Sequence, residues 1–510
     1  MRELPGEPMR IDPSHSGTLA SAIPKSGRGQ LLDSRYPELA SNTIDYWMLP
    51  DDTAMTRERI ENAMEQSPVL EDASLQIYVH VPFCAQRCRF CAFSGGNDLN
   101  FKQAERYSRL VMNQVDDLIN RIPIKGHPIR SINIGGGSPD LVGTHIGYML
   151  KRLRGLPGCH DDTEISVEFT LSTASREFID LLADYEVTKA SFGIQSLNPE
   201  VRKHMRQPKT LKHLEQILTW IDGRIPVVNA DLITGLPGQT LQVVQSDLRQ
   251  LMEDPRVNAI SSYLLTPGAA PSMLAAINQE VIPPSPAFSD QAMMRLQTYG
   301  TFLRNGWTRR GTNTYVDPSS MSERHLNMIA GNECIGTSHY QAFLIGAGPQ
   351  AISCFPGARV ENHVNIKTWA EAIDDGGNPY HLPKCSDNHQ KDTALWVFPL
   401  RWEGLPQKHV DWMRANGALS DRQERLLKEF EQEGLIVRNE RGYELSILGE
   451  VFMGCLVRDL KGELGRAAVD QYIEEGKALG RAISAGVVPD ENMANNRQLA
   501  ETLIQGKGFD

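Results

Sequence analysis

From Gln76 onward the chain alternates short runs of apolar and polar residues with longer stretches whose apolar positions recur at helical spacing. The strand candidates are 76–81, 130–134, 164–169, 188–194, 227–233 and 259–265. Between them lie helix-like segments such as 104–118, 176–183 and 211–220. Strand alternating with helix implies parallel strands joined by right-handed crossovers. Six such units predict an α/β fold built as a partial (β/α)6 barrel, with its chemistry at the carboxyl ends of the strands.

Outside this run the pattern changes. Residues 1–73 read as an extension with prolines, glycines and one short charged helix over 57–66. The core barrel then occupies 74–275, and 276–385 reads as a less regular segment that completes the barrel on the substrate side. Residues 386–510 form a helical domain. In it 419–435 carries apolar residues at helical spacing, and Gly434-Leu435-Ile436-Val437 with Gly442-Tyr443-Glu444-Leu445 predicts a hairpin with charged residues in its turn. Helix, helix and wing make a winged-helix-like module, read as a lid over the barrel mouth in preference to a DNA-binding unit. No internal repeat or low-complexity tract is present.

Composition narrows the classes of function. A length of 510 residues allows two or three domains. No stretch approaches ~20 uninterrupted apolar residues, so no membrane span is expected. The first thirty residues lack an apolar signal core, so a cytoplasmic protein is expected. A net charge of −11 argues against broad nucleic-acid binding and favours a small-molecule substrate. Eight cysteines are too sparse for a disulfide scaffold, and Cys159, Cys334, Cys354, Cys385 and Cys455 stand alone.

The other three do not. Cys84, Cys88 and Cys91 follow the first strand at a C-x3-C-x2-C spacing. Three thiolates so close can wrap one face of a cubane iron–sulfur cluster and leave one iron open. A structural zinc site would need a fourth Cys or His nearby, and chance clustering is the third reading. Gly135-Gly136-Gly137-Ser138-Pro139 ends the second strand, as either a tight turn or a close backbone approach to a ligand. Glu168 and Gln195 end the third and fourth strands, and Asp231 opens Asp231-Leu232-Ile233-Thr234-Gly235-Leu236-Pro237-Gly238-Gln239.

The loop within Tyr78-Val79-His80-Val81-Pro82-Phe83-Cys84 and onward resembles the cluster loop of radical S-adenosylmethionine (SAM) enzymes, in particular the HemN-like branch. The glycine triplet resembles that branch's GGGTP segment, and the stretch from Asp231 its DLIYGLPGQT segment. The resemblance is strong over 76–360 and weak in the C-terminal module. Arg35-Tyr36-Pro37 is faintly like a motif ahead of the HemN barrel.

By that resemblance Cys84, Cys88 and Cys91 hold a [4Fe–4S] cluster. Tyr78, Phe90, Gly135, Gly136, Gly137, Ser138, Glu168, Gln195, Arg206, Asp231 and Leu264 contact SAM. Arg206, one residue closer to Gln195 than the family spacing, would meet the SAM carboxylate. Gly346, Ala347 and Gly348 would line a site for a second SAM, or form a glycine-rich turn without function. An electron donor such as flavodoxin or ferredoxin is also implied.

Phe93 stands where the coproporphyrinogen decarboxylases carry a further cysteine. The remaining C-A-F pattern is shared by the class C methyltransferases, among them haem-degrading enzymes and cyclopropane-forming relatives, and by the haem chaperones. Length and the layout of 266–284 favour the methyltransferases. The expected function is therefore methyl or methylene transfer to an unsaturated carbon of a tetrapyrrole or natural product. It would proceed through a 5′-deoxyadenosyl radical and a second SAM. The alternatives are coproporphyrinogen oxidase-like oxidation or decarboxylation and a haem chaperone. Arg309, Arg310, Arg324 and His325 are either a site for acidic groups or a solvated face. His325, His339 and His363 are candidate haem ligands, more simply read as ordinary polar residues.

Overall fold

The computed structural model describes residues 56–66, 74–91, 101–207, 211–265, 270–310, 313–329, 342–355, 358–381, 400, 404–440 and 442–461. The residues at 35–37, Phe93, 266–269, Cys334, His339 and Cys385 lie outside them.

Six parallel strands run side by side in chain order: β1 (Ser74–Val81), β2 (Ile129–Gly136), β3 (Glu164–Phe169), β4 (Lys189–Gln195), β5 (Val227–Thr234) and β6 (Ala259–Leu264). The crossovers carry α2 (Phe101–Arg121), α3 (His145–Arg154), α4 (Arg176–Asp184), α5 (Pro199–His204), α6 (Leu211–Ile221) and α7 (Leu241–Glu253). Local signals start several of these helices. Ser175 and Thr240 accept from Phe178 N and Val243 N, while Asn198 accepts from Glu200 N and Val201 N ahead of Pro199. The α/β partial barrel expected from the sequence is present.

The sheet is larger than six strands. β9 (Ala342–Ala347) pairs parallel with β1 on the side away from β2, followed by antiparallel β10 (Ile352–Phe355), β11 (Ala358–Asn362) and β12 (Tyr380–His381). At the other end antiparallel β8 (Thr314–Val316) and β7 (Thr308–Arg309) extend β6. β7 and β12 are the two ends of the order and are not paired to each other. The less regular pattern of 276–385 thus supplies both flanks of the sheet. α1 (Arg57–Glu65) docks at one of them, where Arg57 pairs with Glu61 and donates to the carbonyls of Gly376 and Gly377.

Period-two alternation splits each strand into two chemistries. In β3, Ile165, Val167 and Phe169 are buried in the hydrocarbon core, with Phe169 5.5 Å from Phe178 of α4. The other face is polar and linked across strands. Asn133 Nδ2 donates to Glu168 Oε1 (3.3 Å), Ser191 Oγ to Asp231 Oδ2 (3.0 Å), Asn229 Nδ2 to Ser191 Oγ (2.8 Å), and Ser261 Oγ to Asn229 Oδ1 (3.0 Å). Deeper on this face Lys189 Nζ lies 3.7 Å from Glu164 Oε1, both side chains almost wholly excluded from solvent. A barrel packed with apolar layers would hold no ligand; this inner face is built of hydrogen-bonding groups.

The C-terminal module contains α12 (Gln407–Ala415), α13 (Asp421–Gln432) and a three-stranded sheet in the order β13 (Leu405–Pro406), β15 (Gly442–Leu445), β14 (Ile436–Asn439). A capping box of Ser420 and Gln423 starts α13. The expected helix, helix and wing are there, with one more short strand. Glu450 of α14 (Ile447–Val451) meets Arg309 of β7 at 2.7 Å and joins the module to the sheet.

Above that joint, Phe302 of α9 (Phe288–Arg304) stacks on Tyr315 with ring centroids 4.5 Å apart and on Trp307 at 5.6 Å. Phe302→Ala leaves a cavity in this column and is expected to destabilise the protein by about 3–5 kcal/mol. A urea titration followed by tryptophan fluorescence should show a lower midpoint, and an unchanged midpoint would mean that the column contributes nothing.

Candidate active site

The cysteine loop leaves β1 and runs over the ends of the neighbouring strands. Gly137 N donates to Val81 O (2.7 Å) and Ser138 N to Phe83 O (2.6 Å), so the glycine loop after β2 lies directly against the start of the cysteine loop. A Cβ on Gly137 would stand 2.3 Å from Phe83 O. On the far side Arg89 N donates to Met205 O (3.2 Å), Arg89 Nη1 to His204 O (2.7 Å), and Ser272 Oγ of α8 (Pro271–Asn278) to Arg89 O (3.1 Å). Phe90 packs into a separate apolar cluster with Val201, Met205, Leu236, Leu265 and Met273. This collar shields the loop from one side.

Cys84, Cys88 and Cys91 are thiols outside any disulfide, all half-buried. Burial first, then the charges of Cys91 and Cys88, push Cys84 up to about 12; burial and Cys91 push Cys88 up to about 11. The thiols therefore sense one another. Among the described residues no three His, Cys, Asp or Glu side chains are gathered closely enough for a single metal ion. A zinc ion would draw its thiolates together at about 2.3 Å each, whereas a cubane takes each thiolate on a different iron. The donor set, three neighbouring thiols with no fourth ligand gathered on them among the described residues, is one a cubane cluster could take.

The glycine triplet has a packing reason at each position. A Cβ on Gly135 would stand 2.4 Å from Glu168 Oε2, and one on Gly136, where φ is +101°, 2.6 Å from the His80 ring. Ser138 Oγ bonds Thr170 Oγ1 at 2.9 Å. Tyr78 Oη bonds His80 Nδ1 at 2.9 Å, and burial lowers His80 to about 4, so its ring is neutral at pH 7. Glu168 accepts from Asn133 and the Gly136 amide, yet burial still raises its pKa. Asp231 is pushed up to about 7, by burial first and by Glu168 second, against the pull of Lys189, Ser191 and Asn229.

Gln195 ends β4 with a positive φ of +65°, where the β4–β5 register slips between Gly193 and Gln195. Its side chain folds back over Gly193, and its Oε1 is buried with no hydrogen-bond partner among the described residues. An orphaned acceptor at a strand end is what a bound donor would satisfy. Tyr78, Asn133, Glu168, Gln195 and Asp231 thus all lie in the carboxyl-terminal halves of parallel strands, and register pairs Tyr78 with Asn133, Glu168 with Ser191 and Asp231 with Ser261. Leu264, half-buried, closes β6 opposite Thr234. Arg206 follows α5 with φ +58°, is exposed, and its charge is felt by Arg89 of the cysteine loop.

Other expected groups are differently occupied. Gly346 and Ala347 lie in β9 beside Tyr78 and Val79. The Gly346 amide donates to Ser353 Oγ (2.9 Å), and the Gly348 amide donates to Gln114 Oε1 (2.9 Å). One amide serves the sheet and the other the α2 side chain of Gln114, so a ligand here would have to use other atoms. Arg309 is paired with Glu450, and Arg324 bonds Asp162 at 2.8 Å, so the proposed basic cluster is divided between two carboxylates. His325 bonds Ser322, and His363 Nε2 lies 3.1 Å from Asn378 O. The motif at 231–239 is held by Gln239, whose Oε1 accepts from Gly235 N and Leu236 N while Nε2 donates to Ile233 O.

Sequence reasoning missed the Glu164–Lys189 pair, although a lysine inside an otherwise apolar and small-residue strand was a usable signal. It also missed Gln207, whose Nε2 approaches Cys88 Sγ at 3.9 Å, and nothing in its local sequence announces that contact.

Comparison with known proteins agrees with this geometry. The radical SAM superfamily matches residues 78–251. Anaerobilin synthase of Escherichia coli O157:H7 is 28% identical over 314 residues, 60% of this chain and 66% of the relative. Oxygen-independent coproporphyrinogen III oxidase of Escherichia coli K12 is 23% identical over 396 residues, 74% of this chain and 83% of the relative. Heme chaperone HemW of the same strain is 28% identical over 294 residues, 56% of this chain and 72% of the relative. The chain thus spans just under two thirds of the first of these and more of the others. In three dimensions the coproporphyrinogen III oxidase HemN of Escherichia coli superposes with a TM-score of 0.66 at 18% identity, covering 85% of this chain and 98% of that one. No helix among the described residues is long and apolar enough to cross a membrane.

Two outcomes test the site. Cys88→Ala should abolish the broad visible absorbance of the anaerobically reconstituted protein and its SAM cleavage; retained absorbance would remove Cys88 from the ligand set. Asp231, ordinarily near 3.8, titrates at about 7 when folded. The folded state then holds a proton that the unfolded state has lost, so this group's contribution to stability falls as pH rises from about 4 to about 7. In the ligand-free protein Asp231→Asn should remove that decline. Parallel stability-versus-pH curves for the two proteins would refute the shift.

Proposed function

We propose, for a chain that carries a radical SAM domain and has HemN-like relatives, that it is an enzyme of one-carbon transfer to an unsaturated carbon of a tetrapyrrole-type small molecule. Cys84, Cys88 and Cys91 would hold a [4Fe–4S] cluster, and SAM would lie across the strand ends beneath it. Bound together, these two groups supply a 5′-deoxyadenosyl radical that takes hydrogen from an unactivated carbon.

The chain's own residues would bind, orient and shield. The observation that carries the reading is the cysteine loop hydrogen-bonded onto the glycine loop, above an inner face of hydrogen-bonding strand ends. Glu168 and the orphaned Oε1 of Gln195 are acceptors for the amino and ribose donors of SAM, while Arg206 offers charge to its carboxylate. The collar around Phe90 excludes water from the reacting atoms. An external low-potential donor such as a flavodoxin or ferredoxin would deliver the electron.

Transfer of carbon, rather than oxidation, rests on Phe93, which stands where the coproporphyrinogen decarboxylases carry a further cysteine. It requires a second SAM, with Gly346 to Gly348 contributing carbonyls or Cα surface rather than their engaged amides. The second reading is oxidation of a coproporphyrinogen-like substrate. It is favoured by the oxidase relative that matches 74% of this chain. Binding of haem without turnover is the third, supported by the HemW relative.

The test is anaerobic. The reconstituted protein is given dithionite, SAM and a tetrapyrrole acceptor, and 5′-deoxyadenosine and S-adenosylhomocysteine are quantified by mass spectrometry. Both products, with carbon gained by the acceptor, are expected. Deoxyadenosine alone would replace transfer by oxidation or decarboxylation. Intact SAM with a haem Soret band would overturn the enzyme reading.

A further inference from the structure

Cys88 is backed by two side chains that none of the binding roles above uses. Arg202, on α5, is only 8% exposed. Its Nη1 donates to Ile194 O (2.7 Å) and Ser196 O (3.1 Å), which fixes the guanidinium at the end of β4. Its charge interacts with Cys88 and with Asp247, and Asp247 is itself held by Ser196 Oγ at 2.5 Å. Gln207 sits one turn on, its backbone N donating to Arg202 O (2.8 Å), and points its Nε2 at Cys88 Sγ from 3.9 Å. One turn of chain therefore aims an N–H donor at the Cys88 sulfur and holds a buried guanidinium whose charge Cys88 feels.

We propose that Arg202 and Gln207 raise the reduction potential of the cluster bound through Cys88; this rests on the radical SAM reading above. One-electron reduction by an external low-potential donor adds a negative charge to the cluster and changes no other bond. Part of that charge resides on the thiolate sulfurs. A fixed guanidinium nearby and a hydrogen bond to the sulfur both stabilise the more negative state, and the half-buried setting limits screening by water. Arg202 and Gln207 are positioning residues: they act through the ligand, not on the substrate.

The experiment is an EPR-monitored redox titration of the reconstituted holoprotein without substrate, with iron and sulfide counted in each sample. Gln207→Leu and Arg202→Met should each lower the midpoint potential at full cluster content. About a tenfold loss in the reduction equilibrium corresponds to about 59 mV for one electron. Arg202→Lys should restore most of the shift. Arg202 also holds two backbone carbonyls, so Gln207→Leu, on a half-exposed side chain, decides the question where Arg202→Met does not fold. Unchanged potentials in cluster-replete Gln207→Leu would overturn the proposal. So would a lower melting temperature in Arg202→Met with no change in potential. A parent protein that takes up no cluster would instead overturn the radical reading on which this one stands.

Discussion

The site depends on pairing hydrogen-bonding groups with one another inside a sheet, while acceptors such as Gln195 Oε1 are left open. Burying an unpaired polar group costs about 1–3 kcal/mol, and an unpaired charge more. Strands β2 to β6 meet that constraint by pairing across the sheet, from Asn133 and Glu168 through Ser191, Asn229 and Asp231 to Ser261. The opposite face of the same strands is hydrocarbon and packs on helices, which supplies the burial that stabilises the fold. Lys189 and Glu164 extend the polar face to the floor of the sheet. The result is an interior prepared to solvate a polar ligand before one arrives.

Two close backbone approaches convert that interior into a site. Gly137 lets the second strand's loop touch Phe83 O, and Gly135 leaves the room that the Glu168 carboxylate takes. A side chain at Gly137 would push the cysteine loop away from the strand ends, and one at Gly135 would displace the Glu168 carboxylate. Phe90 and its collar then fix the loop from the other side, through α5, α8 and the turn that Gln239 holds together. Orientation of the thiols is thus a property of four separate chain segments rather than of the C-x3-C-x2-C spacing alone.

That explains what was legible in the sequence. Alternation within strands is a local signal, so the six parallel strands and their helices were readable to within a few residues, down to Glu164–Phe169 itself. The cysteine triplet, the glycine triplet and the 231–239 motif were readable for the same reason. Contacts between distant segments were not. Nothing near residue 346 indicates that its amide belongs to Ser353 and that of Gly348 to Gln114. Nothing near Arg309 announces Glu450, and nothing near Gln207 announces Cys88. The antiparallel flanks of the sheet were missed because strands of two to five residues carry too little periodicity to be seen.

The parallel pairing of β9 with β1 has a bearing on how the molecule is made. Ser74 pairs with Ala342 and Val79 with Ala347, so the strand that delivers the cysteines borrows one of its two neighbours from far downstream. During synthesis β1 is consequently an edge strand, with unpaired amides and carbonyls beside the three cysteines, until that later segment emerges and docks. The native chain closes this seam with a strand followed by Gly348, whose lack of a side chain lets the turn lie against the His80 carbonyl of β1. A side chain at Gly348 would therefore do harm first during biogenesis, as a newly made chain with an open seam next to its cysteine loop.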